Sequence, residues 1–345
     1  MQRNTLILRG DFSDEFTPEE AVFAALARAE DKVSRLDERV RACGFSPGWR
    51  SRADFRAVLG TLSADGALVH PEDLLLHDLG ADVRPPEASV TRARHLLQSR
   101  RKAEPGGAEL LSWAGVAWLS GLGRQQPPPG ARPTTLIAGA KPGPRGYAGL
   151  TAFFECLSKG ESDSARAGVE DCLAVLDVAG VPPLLAAAAL LEAWRIVDPL
   201  PRQRPIGGLA ASIVLKVAGR FSSGLFPLET ALRRRPVPGR LAWAALAERL
   251  VFWLGLYEQA ADIELEELTR LGHQKALIER KAAGGRRSSS APGFAQLAVD
   301  TPVLTSDFVA RALQISPQAS LQLIRRMEGV LHEITGRSRF RVWRL

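Results

Sequence analysis

The sequence predicts a mainly α-helical protein that ends in a small winged helix-turn-helix unit. Three observations carry that reading. Apolar residues recur at spacings of three and four through most of the chain. Candidate helices open on Ser or Thr followed by Pro, which suits a cap and a first turn. The last 45 residues read as two short helices followed by an alternating strand pair. Of the 345 residues, 46% are hydrophobic and 24% charged, a globular composition that excludes collagen-like and disordered classes. The length leaves room for two or three domains of roughly 100–200 residues each. No run of about 18 apolar residues occurs. The most apolar stretch, residues 181–197, is cut by Pro182, Pro183, Glu192 and Arg195, so no membrane span is expected. Residues 1–16 mix Arg9, Asp11, Asp14 and Glu15 among their apolar residues. They lack the pattern of a signal peptide, and a cytoplasmic location is expected.

In order along the chain, the first helix covers 18–42. Thr17 caps it, Pro18 fills its first position, and Glu19 and Glu20 sit at its positive end. Val22, Leu26, Ala29, Val33, Leu36 and Val40 form its apolar stripe. Helices follow over 51–63, 71–79 and 89–102. The glycines at 106–107 and the prolines of 125–130 mark loops, and the β-prone Thr134–Ala138 suggests a short hairpin between about 131 and 150. Helices return over 165–179, 183–197, 208–219, 228–234 and 241–281. The last has an apolar side that includes Trp243, Leu246, Leu250, Trp253, Leu254, Tyr257 and Ala261. Residues 284–293 are rich in Gly and Ser and form the best linker candidate. The expected division is 1–105, 106–283, a linker at 284–300, and 301–345.

Metal and disulfide chemistry find little support. Cys43, Cys156 and Cys172 are odd in number and widely spaced, without a CxxC pair, so reduced, buried or half-buried thiols are expected. The five histidines are scattered, and His70 and His77 suit surface or capping positions. No metal and no cofactor is expected. The net charge of +7 is modest, and its distribution says more. Nine basic residues face two acidic ones between Arg195 and Arg240, and seven arginines face three acids after residue 300. The triplet Arg233–Arg235 suits either a helix end or a charged partner.

Residues 301–345 carry the clearest signal. Thr305 or Ser306 caps a helix to Leu313; Gln314, Ile315 and Ser316 turn; Ser316 caps a second helix with Pro317 at its first position. Gly329 suits the far end. Residues 330–345 alternate on both sides of Thr335-Gly336-Arg337-Ser338, as a two-stranded wing does. In a helix-turn-helix, the second helix enters the major groove. Ser316, Gln318, Ser320, Gln322, Arg325 and Arg326 are therefore the candidate readers on that helix, with Arg337, Arg339 and Arg341 on the wing. Arginine combines charge with a planar fork suited to phosphate and guanine edges. Gln314 stands where such turns often have glycine.

A second segment contains an apolar helix that ends at Asp198-Pro199, then a basic loop, Pro201-Arg202-Gln203-Arg204-Pro205, then Ile206-Gly207-Gly208-Leu209. A helix start after such a loop can hold a phosphate, which makes Arg202, Arg204 and Gly207 candidate anion-binding residues. Here the chain resembles the Fic family, helical proteins that transfer nucleotidyl groups. Val197-Asp198-Pro199-Leu200 falls on the start of that family's motif and Ile206-Gly207-Gly208-Leu209 on its end. Leu225-Phe226-Pro227-Leu228 is similar to the part that follows. Residues 61–66 with 72–76 look like the region of the family's inhibitory helix, with Asp65 at its glutamate. The arrangement also resembles bacterial proteins with a helical body and a C-terminal helix-turn-helix. The resemblance implies a Fic-like helical body over 106–283. It also locates the departures. Asp198 stands at the catalytic histidine, the acidic metal-holding residue and the asparagine are missing, and two prolines remove N–H donors from the anion cradle.

The expected function is that of a non-enzymatic DNA-binding protein, a transcriptional regulator whose Fic-like body has lost its catalysis. Its expected partners are double-stranded DNA and a second copy of itself. The alternatives are a divergent nucleotidyltransferase acting through Asp198, and an antitoxin-like chain that holds a protein partner.

Overall fold

A computed structural model of the chain describes residues 17–82, 84–127, 145–157, 164–283, 290–337 and 339–345. Of the hairpin expected between about 131 and 150, residues 131–144 lie outside the described residues and 146–150 are helix. The body contains helices α1 (Pro18–Ala42), α2 (Ser46–Ala64), α3 (Pro71–Leu79), α4 (Ala88–Ala103), α5 (Trp113–Ser120) and α6 (Gly146–Leu157). It continues with α7 (Ala165–Leu173), α8 (Pro183–Val197), α9 (Pro205–Val217), α10 (Glu229–Leu232) and the 38-residue α11 (Leu246–Ala283). The C-terminal unit comprises α12 (Ala291–Asp300), β1 (Leu304–Thr305), α13 (Ser306–Leu313), α14 (Pro317–Arg326), β2 (His332–Glu333) and β3 (Val342–Arg344). No helix among the described residues is long and apolar enough to cross a membrane.

Local chemistry explains the clearest boundaries. The Thr17 hydroxyl accepts the Glu20 N–H, and the Glu20 carboxylate accepts the Thr17 N–H at 2.7 Å. This reciprocal capping box satisfies two N–H groups at the start of α1. The expected stripe of α1 is buried and lies along α11, where Lys32 donates to Asp262 at 2.6 Å. Together α1, α8, α9 and α11 enclose the main core, built on Leu36, Trp49, Leu190, Ile213, Phe226 and Tyr257.

Several elements differ from the sequence reading. Helix α9 starts at Pro205, which takes a first-turn position, so Gly207 and Gly208 lie inside the helix rather than before it. Ala244 is extended (ψ 157°) between a 3₁₀ turn at Gly239–Trp243 and α11. The break takes Trp243 off the apolar stripe and leaves it 90% exposed. Cys156 is exposed rather than half-buried. The segment expected as a linker to residue 300 is helix from Ala291 onward; its first part, 284–289, lies outside the described residues. Helix α12 packs on α11 and α2 and buries Phe294, Ala295, Ala298 and Val299.

The C-terminal unit therefore shares its core with the body. Leu304, Val309, Leu323, Ile324 and Leu345 belong to the main cluster, and Val303 and Ile334 pack on the cluster of α2, α3 and α4. Arg52 of α2 fixes the joint. It is buried, and its guanidinium donates to the carbonyls of Gly48 (3.1 Å), Ala298 (3.1 Å), Val299 and Thr301 (2.6 Å). These include carbonyls at the C-terminal end of α12, the negative end of the helix. Close to it, a Cβ on Gly48 would sit 1.9 Å from the Val299 oxygen, so α2 and α12 meet backbone to backbone.

Candidate nucleic-acid interface

The Thr305 hydroxyl accepts the Phe308 N–H at 3.1 Å and opens α13. The helix ends on Gln314 in the left-handed region (φ 54°, ψ 44°). The turn thus keeps the geometry that glycine usually supplies, at a position where a side chain unbranched at Cβ is tolerated better than a branched one. Ile315 donates back to the Ala310 carbonyl at 3.0 Å, and the Ser316 hydroxyl accepts the Ala319 N–H at 3.2 Å. Pro317 follows at the first position of α14.

Helix periodicity divides α14 into two faces. Ser320, Leu323, Ile324 and then Met327 point inward. Ser320, with no exposed surface, donates to the Pro317 carbonyl at 2.8 Å. It is therefore removed from the candidate readers: residues two apart cannot share a helical face. Gln318, Gln322 and Arg325, spaced four and three apart, share the outer face. They are exposed, as are Ser316 and Arg326.

The wing is a three-stranded sheet in the order β1-β3-β2, with His332 opposite Arg344 and Leu304 opposite Trp343. Its turn is ordered by Glu333. The carboxylate accepts the N–H groups of Thr335 (2.8 Å) and Gly336 (3.1 Å) and the Thr335 hydroxyl. Burial raises the Glu333 pKa, but these donors outweigh it and hold the carboxyl below its ordinary value.

The wing arginines divide by role. Arg337 is half-buried and donates to the Asp82 carbonyl at 2.8 Å. Arg344 pairs with Glu72 of α3 at 3.0 Å. These two tie the wing to the body, and Arg337 is not freely available to a ligand as the sequence suggested. Asp82 is in turn held by His77, whose Nδ1 lies 3.0 Å from its carboxylate. Arg339 and Arg341 remain exposed. A groove of about 1090 Å³ runs between α14 and the wing, lined among others by Leu321, Arg325, Arg339, Phe340 and Arg341. It brings Arg325 of the outer face of α14 and the wing tip into one groove, whose lining also carries Asp307, Glu328 and Glu333. Nothing in the local sequence shows the anchoring through Glu72 and Asp82, because both partners are more than 250 positions away.

The candidate anion site differs from expectation. A cavity of about 420 Å³ lies in the body, at the ends of α2, α8 and α9. Asp198 adopts the left-handed region (φ 45°, ψ 54°), and Arg204 grips both its carboxylate oxygens at 2.5–3.0 Å. The bond to Asp198 also raises the Arg204 pKa. Gly207 is buried beneath the Trp194 indole, where a Cβ would lie 2.5 Å from the ring. Arg202 is exposed and does not line the cavity. Arg204 and Gly207 thus line one cavity, and Arg202 does not. Of the cavity's other charged groups, Asp65 pairs with Arg92, Arg195 with Glu192 at 2.6 Å, and Glu229 with Arg100 at 3.4 Å. No group of His, Cys, Asp and Glu suited to a metal occurs among the described residues.

Two family models match parts of the chain. Residues 170–283 match a family model described as "Protein of unknown function (DUF1612)", and residues 291–345 match one described as "HTH DNA binding domain". The second match starts at α12, so the helix at the joint is counted with the reader. The chain is 28% identical to "Uncharacterized protein y4cF" of Sinorhizobium fredii, over 90% of this chain and 93% of that one. Among solved structures, a Fic family protein from Desulfovibrio desulfuricans G20 matches with a TM-score of 0.53 at 15% identity, over 96% of this chain and 97% of the other. At that identity the match speaks for fold alone. The body of the chain thus shares its helical fold with that Fic family protein, and its C-terminal residues 291–345 match a helix-turn-helix DNA-binding domain.

Proposed function

We propose that the protein is a transcriptional regulator that binds duplex DNA as a homodimer in the cytoplasm, with a body that no longer performs nucleotidyl transfer. One observation carries the reading: Gln318, Gln322 and Arg325 share the exposed face of α14, and Arg325 lines one groove with the exposed Arg339 and Arg341 of the wing. Glutamine can bond an adenine edge in two places, and arginine a guanine edge, in the major groove. Arg326, Arg339 and Arg341 fit the phosphate backbone, which positions a protein without reading sequence. The match of residues 291–345 to a DNA-binding domain supports the same assignment.

The loss of catalysis rests on the cavity. A general base must be free to take a proton within hydrogen-bond reach, and both oxygens of Asp198 are engaged by Arg204. A triphosphate would also need unpaired cations, and both arginines that line the cavity are already paired with carboxylates.

The test is selection of duplexes from a random pool by the full chain, alongside incubation with labelled nucleoside triphosphates and divalent metals. The expected result is an enriched palindrome, its half-sites about one helical turn, roughly 34–36 Å, apart, with no label transferred. No retention on any duplex at low salt overturns the DNA reading. Label transfer that Asp198→Ala abolishes overturns the loss of catalysis.

A further inference from the structure

Phe340 stands at the tip of the wing, 81% exposed. It is the one described aromatic of the helix-turn-helix unit that leaves its ring in solvent: Phe308 and Trp343 pack against the core and Phe294 is buried. Its backbone lies in the left-handed region (φ 56°), which bulky residues seldom adopt. Such a conformation persists only where the surroundings impose it, and it clusters at functional positions. The surroundings here are specific. Arg337 is tied to the body at Asp82, and the Arg341 Nε–H donates to the Arg337 carbonyl at 2.7 Å. This bond ties Arg341 to Arg337, and residues 339 and 340 beside it are exposed. Arg339 and Arg341 flank the ring, both exposed, and all three line the groove shared with Arg325 of α14.

An apolar ring held outward between two cations matches one surface closely. In a DNA minor groove, cations meet the phosphates and the narrow floor, and an apolar wedge enters between stacked bases. We propose that Phe340 is a DNA-deforming wedge. With α14 in the major groove, the wing tip reaches the adjacent minor groove, and the ring inserts at a base step and kinks the duplex. The proposal rests on the DNA reading above and adds to it a deformation and a sequence preference without base hydrogen bonds. The step under the wing is expected to be pyrimidine–purine, TA or CA/TG, because such steps unstack at least cost.

The test uses the full chain and the duplex that it enriches from a random pool, labelled at both ends for energy transfer. A 2-aminopurine probe is moved step by step under the wing. The wild type is expected to bend the duplex by tens of degrees, within the roughly 20–90° typical of wedge-inserting proteins, and to brighten the probe at one step. Phe340→Ala is expected to lose most of the bend and the brightening and to bind about tenfold more weakly, on the order of the cost of one lost intercalating contact. Phe340→Trp is expected to retain both signals. If Phe340→Ala binds with unchanged bend and unchanged probe signal, the wedge is refuted. A loss of affinity without a change in bend refutes it equally. If the wild type retains no duplex at low salt, the DNA reading itself fails and the wedge falls with it.

Discussion

Arg100→Met is expected to destabilise the fold by about 3–5 kcal/mol, the range for removing one partner from a buried charge cluster. Arg100 of α4 is almost wholly buried. It donates to Asp54 of α2 at 2.7 Å, to Glu229 of α10 at 3.4 Å and to the Leu225 carbonyl at 3.3 Å. Burial pulls its pKa down, but Asp54 and Glu229 outweigh that effect and leave it raised. Both carboxyls are themselves pushed up by burial and drawn back by Arg100. Methionine fills similar volume but strands two carboxylates in a dry interior, where an unpaired charge is far costlier than a lost contact. The backbone beside the cluster has little room to adjust, since a Cβ on Gly60 would lie 1.9 Å from the Glu229 carbonyl oxygen. Urea denaturation measures the effect as a lower midpoint. Adding Asp54→Asn and Glu229→Gln is expected to recover part of the loss, because fewer stranded charges remain. A midpoint that moves no more than for a surface substitution contradicts this account of the core.

The second large effect is at the joint between reader and body. Arg52→Met is expected to cost roughly 3 kcal/mol, since a buried carbonyl left without a donor costs about 1–3 kcal/mol and four carbonyls converge on this guanidinium. Burial, joined by the Arg56 and Arg270 cations, also pulls the Arg52 pKa down, against the Asp300 and Glu267 carboxylates that raise it. Arg52→Lys is not expected to rescue the loss, because one compact ammonium cannot span the fan that a planar guanidinium fits. Hydrogen exchange localises the effect: amides of α12 are expected to exchange faster, whereas those of α1 keep their protection. Equal loss of protection in α1 and α12 would show that Arg52 supports the whole fold rather than the joint.

The two buried arginines also mark what local sequence can show. Helices that open on a cap and a proline are legible at their starts: Thr17-Pro18 opens α1 and Ser316-Pro317 opens α14, whereas α8 opens at Pro183 on a proline without a side-chain cap. Helix α5 is not legible, because Trp113–Ser120 is apolar on all sides and has no stripe to reveal its period. Helix α12 was masked by the Gly- and Ser-rich residues before it and by Pro292 and Gly293 within its first turn. In the site, the recognition-helix arginines and glutamines are legible as types, but the inward face of Ser320 shows only in the packing of α14 on α13. Gly207 read as a phosphate cradle because a glycine needed for close approach of an indole looks the same in sequence as one needed for an anion. The anchoring of Arg337 and Arg344 to α3 and its following loop depends on pairs distant in sequence, and one sequence carries no signal of them.

The central claim is that the outer face of α14 and the wing tip bind DNA through cations left free by the body. Salt-titrated affinity of the full chain for its enriched duplex tests it most directly, comparing the wild type with a variant carrying Arg325→Ala, Arg326→Ala, Arg339→Ala and Arg341→Ala. Each phosphate contact contributes about 0.9 to the slope of log affinity against log salt. If at least three of the four side chains meet phosphates, the variant's slope falls by about 3, and binding at low salt weakens by two orders of magnitude or more. A variant that keeps the wild-type slope and affinity would contradict the account.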